Sequence, residues 1–380
     1  MRVAILSNDV VPGMGLPVAA PGLRAWGLAL GLRAHGHEVS VLLDLKAVRA
    51  VWEGGEQPAV PPSMPSGTVL ITAQQATAWV REHGIEVLVI INSNLVRHLG
   101  DLGPCRLVYD FFAPKMLEMA ENTLRENAAT IMDSLEQRKL YALGRSDGVV
   151  VNGAKKVPYV REWLQRAGVP DLPLEVVNPA LPPVAPDPAD TERLQVMVSG
   201  YIQPWSRPGA WAEAILPLLD QRRVVLHLVV GNHWAKNSRE AVMSPEVARL
   251  AAHPGVRQHG LMTLTDFRTL LSRCHLSIDV FERNPERELA MVTRTVVALT
   301  TGLPAMHVDF TEVSPWIAEQ DAGWLVDEDD VDGMRAVLSE AAADRSVLEP
   351  KRAGAVRLST TVLEPGTAAE PFDRLLRSLR

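Results

Sequence analysis

Cysteine is nearly absent from this chain: only Cys105 and Cys274 occur in 380 residues, far apart and in apolar surroundings. A disulfide framework or a zinc site needs more thiols, so a reducing compartment fits best. Basic charge is not in excess either. Lys and Arg number 38 against 45 Asp and Glu, a net charge of −7. No basic stripe gathers along the chain, so nucleic acid is not an expected partner. No apolar run approaches the roughly 18 residues that span a bilayer. The opening MRVAILSNDVVPGMG lacks the charged-then-long-apolar form of a signal peptide. The expectation is a cytoplasmic protein, with peripheral membrane contact and a homodimer both left open. Absent too are a G-x-G-x-x-G fingerprint, a nucleophile elbow and a convincing metal site.

What the chain does have is alternation. Short apolar runs at Arg2–Leu6, Val69–Ile71, Glu86–Ile91, Arg106–Tyr109 and Gly148–Val151 read as strands. Between the first two lie a long Gly/Pro loop, a helical-period segment from Leu23 to Ala34, and the strand-like GHEVSVLLD. A long helical stretch is expected over 115–143. The segment 178–194 is proline-rich and reads as a linker. Beyond it, strands are expected at Gln195–Ser199, Val224–Val230, Val256–His259, Leu276–Val280, Ala305–Val308 and Trp324–Val326. Helices are expected near 209–218, 245–252, 264–273, 288–301, 312–319 and 330–343. Such alternation argues for parallel sheets covered by helices on both faces. The length matches two domains at roughly 100–200 residues each. The expected division is 1–180, a linker over 181–194, 195–360, and a tail over 361–380 that packs back on the first domain.

One stretch stands out. Glu282, Arg283, Glu286, Arg287 and Glu288 put five charges into seven residues directly after a buried-looking strand. In open α/β sheets ligands sit beyond the carboxyl ends of strands, so these charges face a binding cleft rather than a core.

The second half resembles the retaining GT-B-fold glycosyltransferases that use nucleotide sugars without a metal. The pieces VSGYIQPWSRPG, LVVGNH, VRQHG, LSIDVFERNPERE, VVALTTGLP and AGWLV follow one another in that family's order, covering about 195 to 335. GHEVSVLL and RLVYDFFAP fit the family in the first half. The resemblance implies an α/β fold of two Rossmann-like domains facing each other across a cleft. It implies an acceptor domain first, a donor domain second, and a nucleoside-diphosphate sugar as co-substrate with no other cofactor. The acceptor would be a sugar, a lipid-linked or a small-molecule hydroxyl.

Carried onto this sequence, the resemblance places a donor-sugar glutamate in the acidic loop. Glu288 is the nearest match, with Glu286 and Glu282 beside it. Counting five residues back from Gly302, where the family has a ribose-binding glutamate, lands on Val297. Tyr201 likewise stands where an arginine is expected. Positive charge for a diphosphate is then left to Arg207, near the family's lysine position, and to Arg294, with Thr295 beside it. Lys236 is weaker, and Trp205 and Trp234 could stack on a sugar or base. Gly231 closes a strand where backbone can approach the donor, and Gly13 and Gly15 in the first loop can do the same. In YDFFAP, Tyr109 replaces a family histidine while Asp110 remains, a candidate acceptor-side base with Arg24 as an acceptor-binding neighbour. Because Val297 and Tyr201 replace expected donor ligands, the alternative is a GT-B-fold auxiliary protein that activates a partner transferase.

Overall fold

The structure is a computed structural model describing residues 1–53, 63–120, 128–189, 191–201, 209–231 and 245–379. It divides into two compact units: residues 1–180 with 364–380, and residues 181–363.

The first unit runs β1 (Arg2–Ser7), α1 (Ala20–Ala34), β2 (Glu38–Asp44), α2 (Leu45–Glu53), β3 (Thr68–Ile71), α3 (Ala76–Glu82), β4 (Val87–Ile91), β5 (Arg106–Asp110), α4 (Lys115–Ala120), α5 (Ala128–Arg145), β6 (Gly148–Val151), α6 (Lys156–Arg166) and β7 (Leu174–Val176). All its strand pairings are parallel, in the order β3-β2-β1-β4-β5-β6-β7. Parallel strands need both faces covered, which is why VLVII of β4 is buried at every position. The short β7, half-buried at the sheet edge, carries no apolar run that would announce it in the sequence.

The second unit runs β8 (Leu194–Tyr201), α7 (Gly209–Asp220), β9 (Val224–Gly231), α8 (Pro245–Ala251), β10 (Val256–His259), α9 (Leu264–Arg273), β11 (Leu276–Asp279), α10 (Pro285–Glu288), α11 (Thr293–Leu299), β12 (Ala305–Val308), α12 (Ser314–Gln320), β13 (Gly323–Val326), α13 (Val331–Ala343) and α14 (Leu348–Thr360). Its sheet is also parallel, ordered β10-β9-β8-β11-β12-β13. In each sheet the order reverses beside the first strand, between β1 and β4 and between β8 and β11. Those are the switch points where a crevice opens at the strand ends.

The proline-rich stretch is fastened along the second unit. Val184 N–H donates to the Thr300 carbonyl at 2.8 Å, and Ala189 N–H to that of Arg273 at 3.0 Å. Arg268 donates to the Pro182 carbonyl. The last helix, α15 (Pro365–Ser378), belongs to the first unit and lies along α1. Gly31 makes that approach close, because a Cβ there would overlap Ala369 and the Pro365 carbonyl. His37 Nε2 lies 2.7 Å from Asp373 Oδ1 and His35 Nε2 lies 2.8 Å from the Gly366 carbonyl. Both histidines of the turn before β2 thus fasten this helix.

The expected helical stretch 115–143 holds α4 and α5, the latter continuing to Arg145. One helix differs from the sequence reading. The segment 288–301 is not one helix. Asn284 caps a short α10 that ends at Glu288, accepting from the Arg287 N–H at 2.8 Å, and α11 begins only at Thr293. Between them Ala290, Met291 and Val292 turn inward and are buried.

Candidate functional site

The rim at the β8/β11 switch point is built around one carboxylate. Asp279, the last residue of β11, is 6% exposed. Its Oδ1 accepts from Arg294 at 2.6 Å and its Oδ2 from the Thr295 hydroxyl. Arg294 and Thr295 are consecutive in the first turn of α11, so one helix start supplies both partners. Burial disfavours the charged form of Asp279. The Arg294 charge, His307 and the hydrogen bonds from Arg294 and Thr295 overcome that and hold its carboxyl below the usual range.

Arg294 is thereby aimed, not free. It crosses Gly200 near the end of β8, where φ is +144° and a Cβ would overlap the guanidinium. The glycine at this position both adopts that backbone and makes room for the arginine. Its side chain keeps 24% of its surface exposed, so a fixed positive charge faces outward at the point where the strand order reverses.

Behind it a polar chain continues inward. His307, the facing residue on β12, is fully buried, with Nδ1 3.5 Å from Thr295 Oγ1 and Nε2 2.8 Å from Thr311 Oγ1. Burial lowers its pKa to about 4, with Asp279 opposing and Arg294 adding to the shift. It is neutral at pH 7, and the positive charge on the rim belongs to Arg294. Thr311 and Ser314 extend the chain at 3.0 Å, and Ser314 Oγ donates to the Val308 carbonyl at 2.8 Å.

The charged run after β11 is arranged around two aromatic rings. Phe281 is buried, with the Arg287 and Arg294 guanidinium carbons each 5.6 Å from its centroid. It meets His307 and Phe310 edge to face, both at 5.9 Å. Arg283 lies 4.7 Å from the Phe310 centroid, 3.6 Å from Glu288 and 3.5 Å from Asp309. Such stacking is favourable because the ring face carries negative charge. Glu286 is buried and paired with Arg287, while Glu288 and Glu282 are exposed. The three candidate glutamates therefore occupy different surroundings: one is held inside, and two face solvent. Val297 is buried in α11 and offers no polar atom to a ribose. Gly231 ends β9, the strand next to β8. Arg207, Trp205, Trp234 and Lys236 lie outside the described residues.

In the first unit, Arg24 and Asp110 are brought together. Arg24 Nε and Nη2 donate to the two Asp110 oxygens at 2.8 and 3.3 Å, and Nη1 donates to the Val177 carbonyl at 2.7 Å. Arg24 is 3% exposed and Asp110 0%. Both carboxylate oxygens are occupied and none faces solvent, so this geometry fits a clasp between α1, β5 and the strand end after β7. It does not fit a base reaching an acceptor hydroxyl, which needs access to the proton it takes. Gly13 and Gly15 hold positive φ in the first loop, at +91° and +73°. Ser63 donates to the Gly13 carbonyl. Buried Asp9 accepts from Val10 N–H at 2.8 Å. Burial pushes its carboxyl up to about 7, against hydrogen bonds from Val10, Gly22 and Ala19.

Sequence reasoning missed Asp9, Asp279, His307 and Lys139. Lys139 is buried with Nζ 3.7 Å from the Phe111 centroid, and burial lowers its pKa to about 7. Asp279 and His307 did leave a signal, a polar residue inside an otherwise apolar strand. Among the described residues, no group of three or more His, Cys, Asp or Glu is placed to hold a metal. Also among them, no helix is long and apolar enough to cross a membrane.

Solved structures resemble the whole chain. A sucrose-phosphate synthase from Thermosynechococcus elongatus has a TM-score of 0.67 at 13% identity, over 100% of this chain and 99% of that one. Anabaena HepE in complex with UDP and glucose has a TM-score of 0.66 at 14% identity, over 100% of both chains. WaaG, a glycosyltransferase involved in lipopolysaccharide biosynthesis, has a TM-score of 0.59 at 15% identity, over 97% of this chain and 99% of that one. No protein-family model and no curated protein matches the sequence. At these identities the likeness establishes the fold: two Rossmann-like α/β units of the GT-B glycosyltransferase type.

Proposed function

We propose that the chain is a glycosyltransferase that moves a sugar from a nucleoside-diphosphate sugar to an acceptor hydroxyl. Arg294 carries this reading: a guanidinium fixed by Asp279 and cleared by Gly200, at the switch point where open α/β sheets bind ligands. A departing diphosphate gathers negative charge, and a preoriented cation stabilises it without reorganising at the moment of reaction. A planar guanidinium suits two phosphate oxygens at once. The second unit would then hold the donor and the first the acceptor. Glu288 and Glu282, exposed beside this rim, are the side chains offered for donor-sugar hydroxyls, and Glu286 orders the loop through Arg287. Retention of configuration, independence from metal and a cytoplasmic location complete the reading. HepE was crystallised with UDP and glucose, which supports a uridine nucleotide as the first donor to try.

The alternative has a specific observation behind it. With Val297 buried where a ribose ligand is expected, the chain would be an auxiliary partner of a true transferase. A melting-temperature panel with UDP, GDP, dTDP, ADP and CMP separates the two, because a ligand of the folded state must raise the midpoint by mass action. One selective nucleoside diphosphate is the expected result. A folded sample unmoved by all five at millimolar concentration would sink the transferase reading and favour the auxiliary one.

A further inference from the structure

We propose that the second unit carries a separate anion site for a small phosphorylated ligand, at the opposite end of its sheet from the donor rim. A hollow of about 500 Å³ opens there between the starts of β8 and β10 and the end of α9. Three arginines line it: Arg193 just before β8, Arg257 on the edge strand β10, and Arg273 in the last turn of α9. No carboxylate pairs with any of the three among the described residues. Glu192 is the acidic residue among the lining side chains. In a chain of net charge −7, these three exposed arginines set against Glu192 leave a local positive excess among the described residues. A tetrahedral dianion balances that excess, whereas a carboxylate would leave part of it.

The floor is built rather than incidental. Gln195 is 6% exposed, and its Nε2 donates to Thr191 Oγ1 at 3.2 Å and to the Arg193 carbonyl at 2.9 Å. Its Oε1 lies 3.0 Å from His227 Nε2, and His227 Nδ1 lies 3.0 Å from His259 Nε2. Since that oxygen only accepts, His227 donates to it and in turn accepts from His259. This neutral chain fixes the floor and adds no negative charge against an anion. Arg345 holds the adjoining backbone, donating to the Glu192 carbonyl at 3.2 Å. From Gln195 to Gly200 the strand rises about 17 Å at ~3.3 Å per residue, so the hollow and the Arg294 rim are distinct places.

The test is the melting temperature of the full chain against inorganic phosphate, with ionic strength held constant by chloride. The site predicts a saturable rise that acetate does not reproduce. Arg257→Gln with Arg273→Gln should weaken it by at least about tenfold, the loss of charge-assisted hydrogen bonds. Arg294→Gln should leave it in place, which separates this hollow from the rim. Should the double variant fail to fold, Arg193→Gln alone must still weaken phosphate severalfold. No saturable rise in the wild type, a rise unchanged in the arginine variants, or a rise lost only with Arg294→Gln would each overturn the site.

Discussion

Asp279→Asn changes one atom and should unsettle the whole rim. The native carboxylate takes Arg294 at 2.6 Å and the Thr295 hydroxyl while 6% exposed. Removing one partner of a buried ion pair costs about 3–5 kcal/mol because the other charge stays behind. Arg294 keeps 24% of its side chain in water and can recover part of that loss. The expected destabilisation is therefore at the lower end, about 2–3 kcal/mol. For a unit of this size that is roughly 5–10 °C in melting temperature. Asp279 has its pKa lowered by folding, so its contribution is present above the unfolded carboxylate value and fades only as pH falls through the folded one. The gap between wild type and variant should thus stay constant from about pH 5 to 8 and close in stronger acid. Thermal or urea unfolding followed across pH reads this directly. A loss under about 0.5 kcal/mol at neutral pH, or a gap that closes between pH 5 and 7, would refute the reasoning.

Other consequences follow from the same structure. Asp9, raised to about 7, keeps its proton in the folded state while the unfolded chain loses it. Stability should then fall as pH rises from about 4 to 7, by up to about 1.4 kcal/mol per unit, and Asp9→Asn should flatten that slope in a pH series of melting curves. Gly31→Ala drives a methyl into Ala369 and the Pro365 carbonyl, and should cost about 1–3 kcal/mol. Limited proteolysis should then release α15 first, and an unchanged digest would count against that contact. Glu286→Gln and Glu288→Gln should each lower turnover with the correct donor. Full activity in both and in the double variant would remove the acidic loop from the mechanism.

Much of the fold is legible in the sequence because parallel strands buried on both faces are largely apolar. VLVII of β4 and GVVV of β6 are such runs. The edge strand β7, half exposed, leaves no such trace. The candidate site is less legible. Arg294 and Thr295 are visible as a charge and a hydroxyl on the helix after the acidic loop, yet their anchor Asp279 is one polar residue within an expected strand, and its pairing across 15 residues is a tertiary fact. Arg24 and Asp110 show the opposite case. Each has the right type and place for an acceptor site, but 86 residues of separation conceal that they saturate one another. Charge and position are visible in a sequence; whether a charge is already spent on another is not.

The proposed role of Arg294 in binding the donor diphosphate is tested by calorimetry of UDP and of uridine with wild type and Arg294→Gln. UDP should bind the wild type more tightly than uridine does. The variant should lose about tenfold or more for UDP, the worth of a charge-assisted contact, and leave uridine unchanged. UDP affinity equal in the two proteins would contradict it.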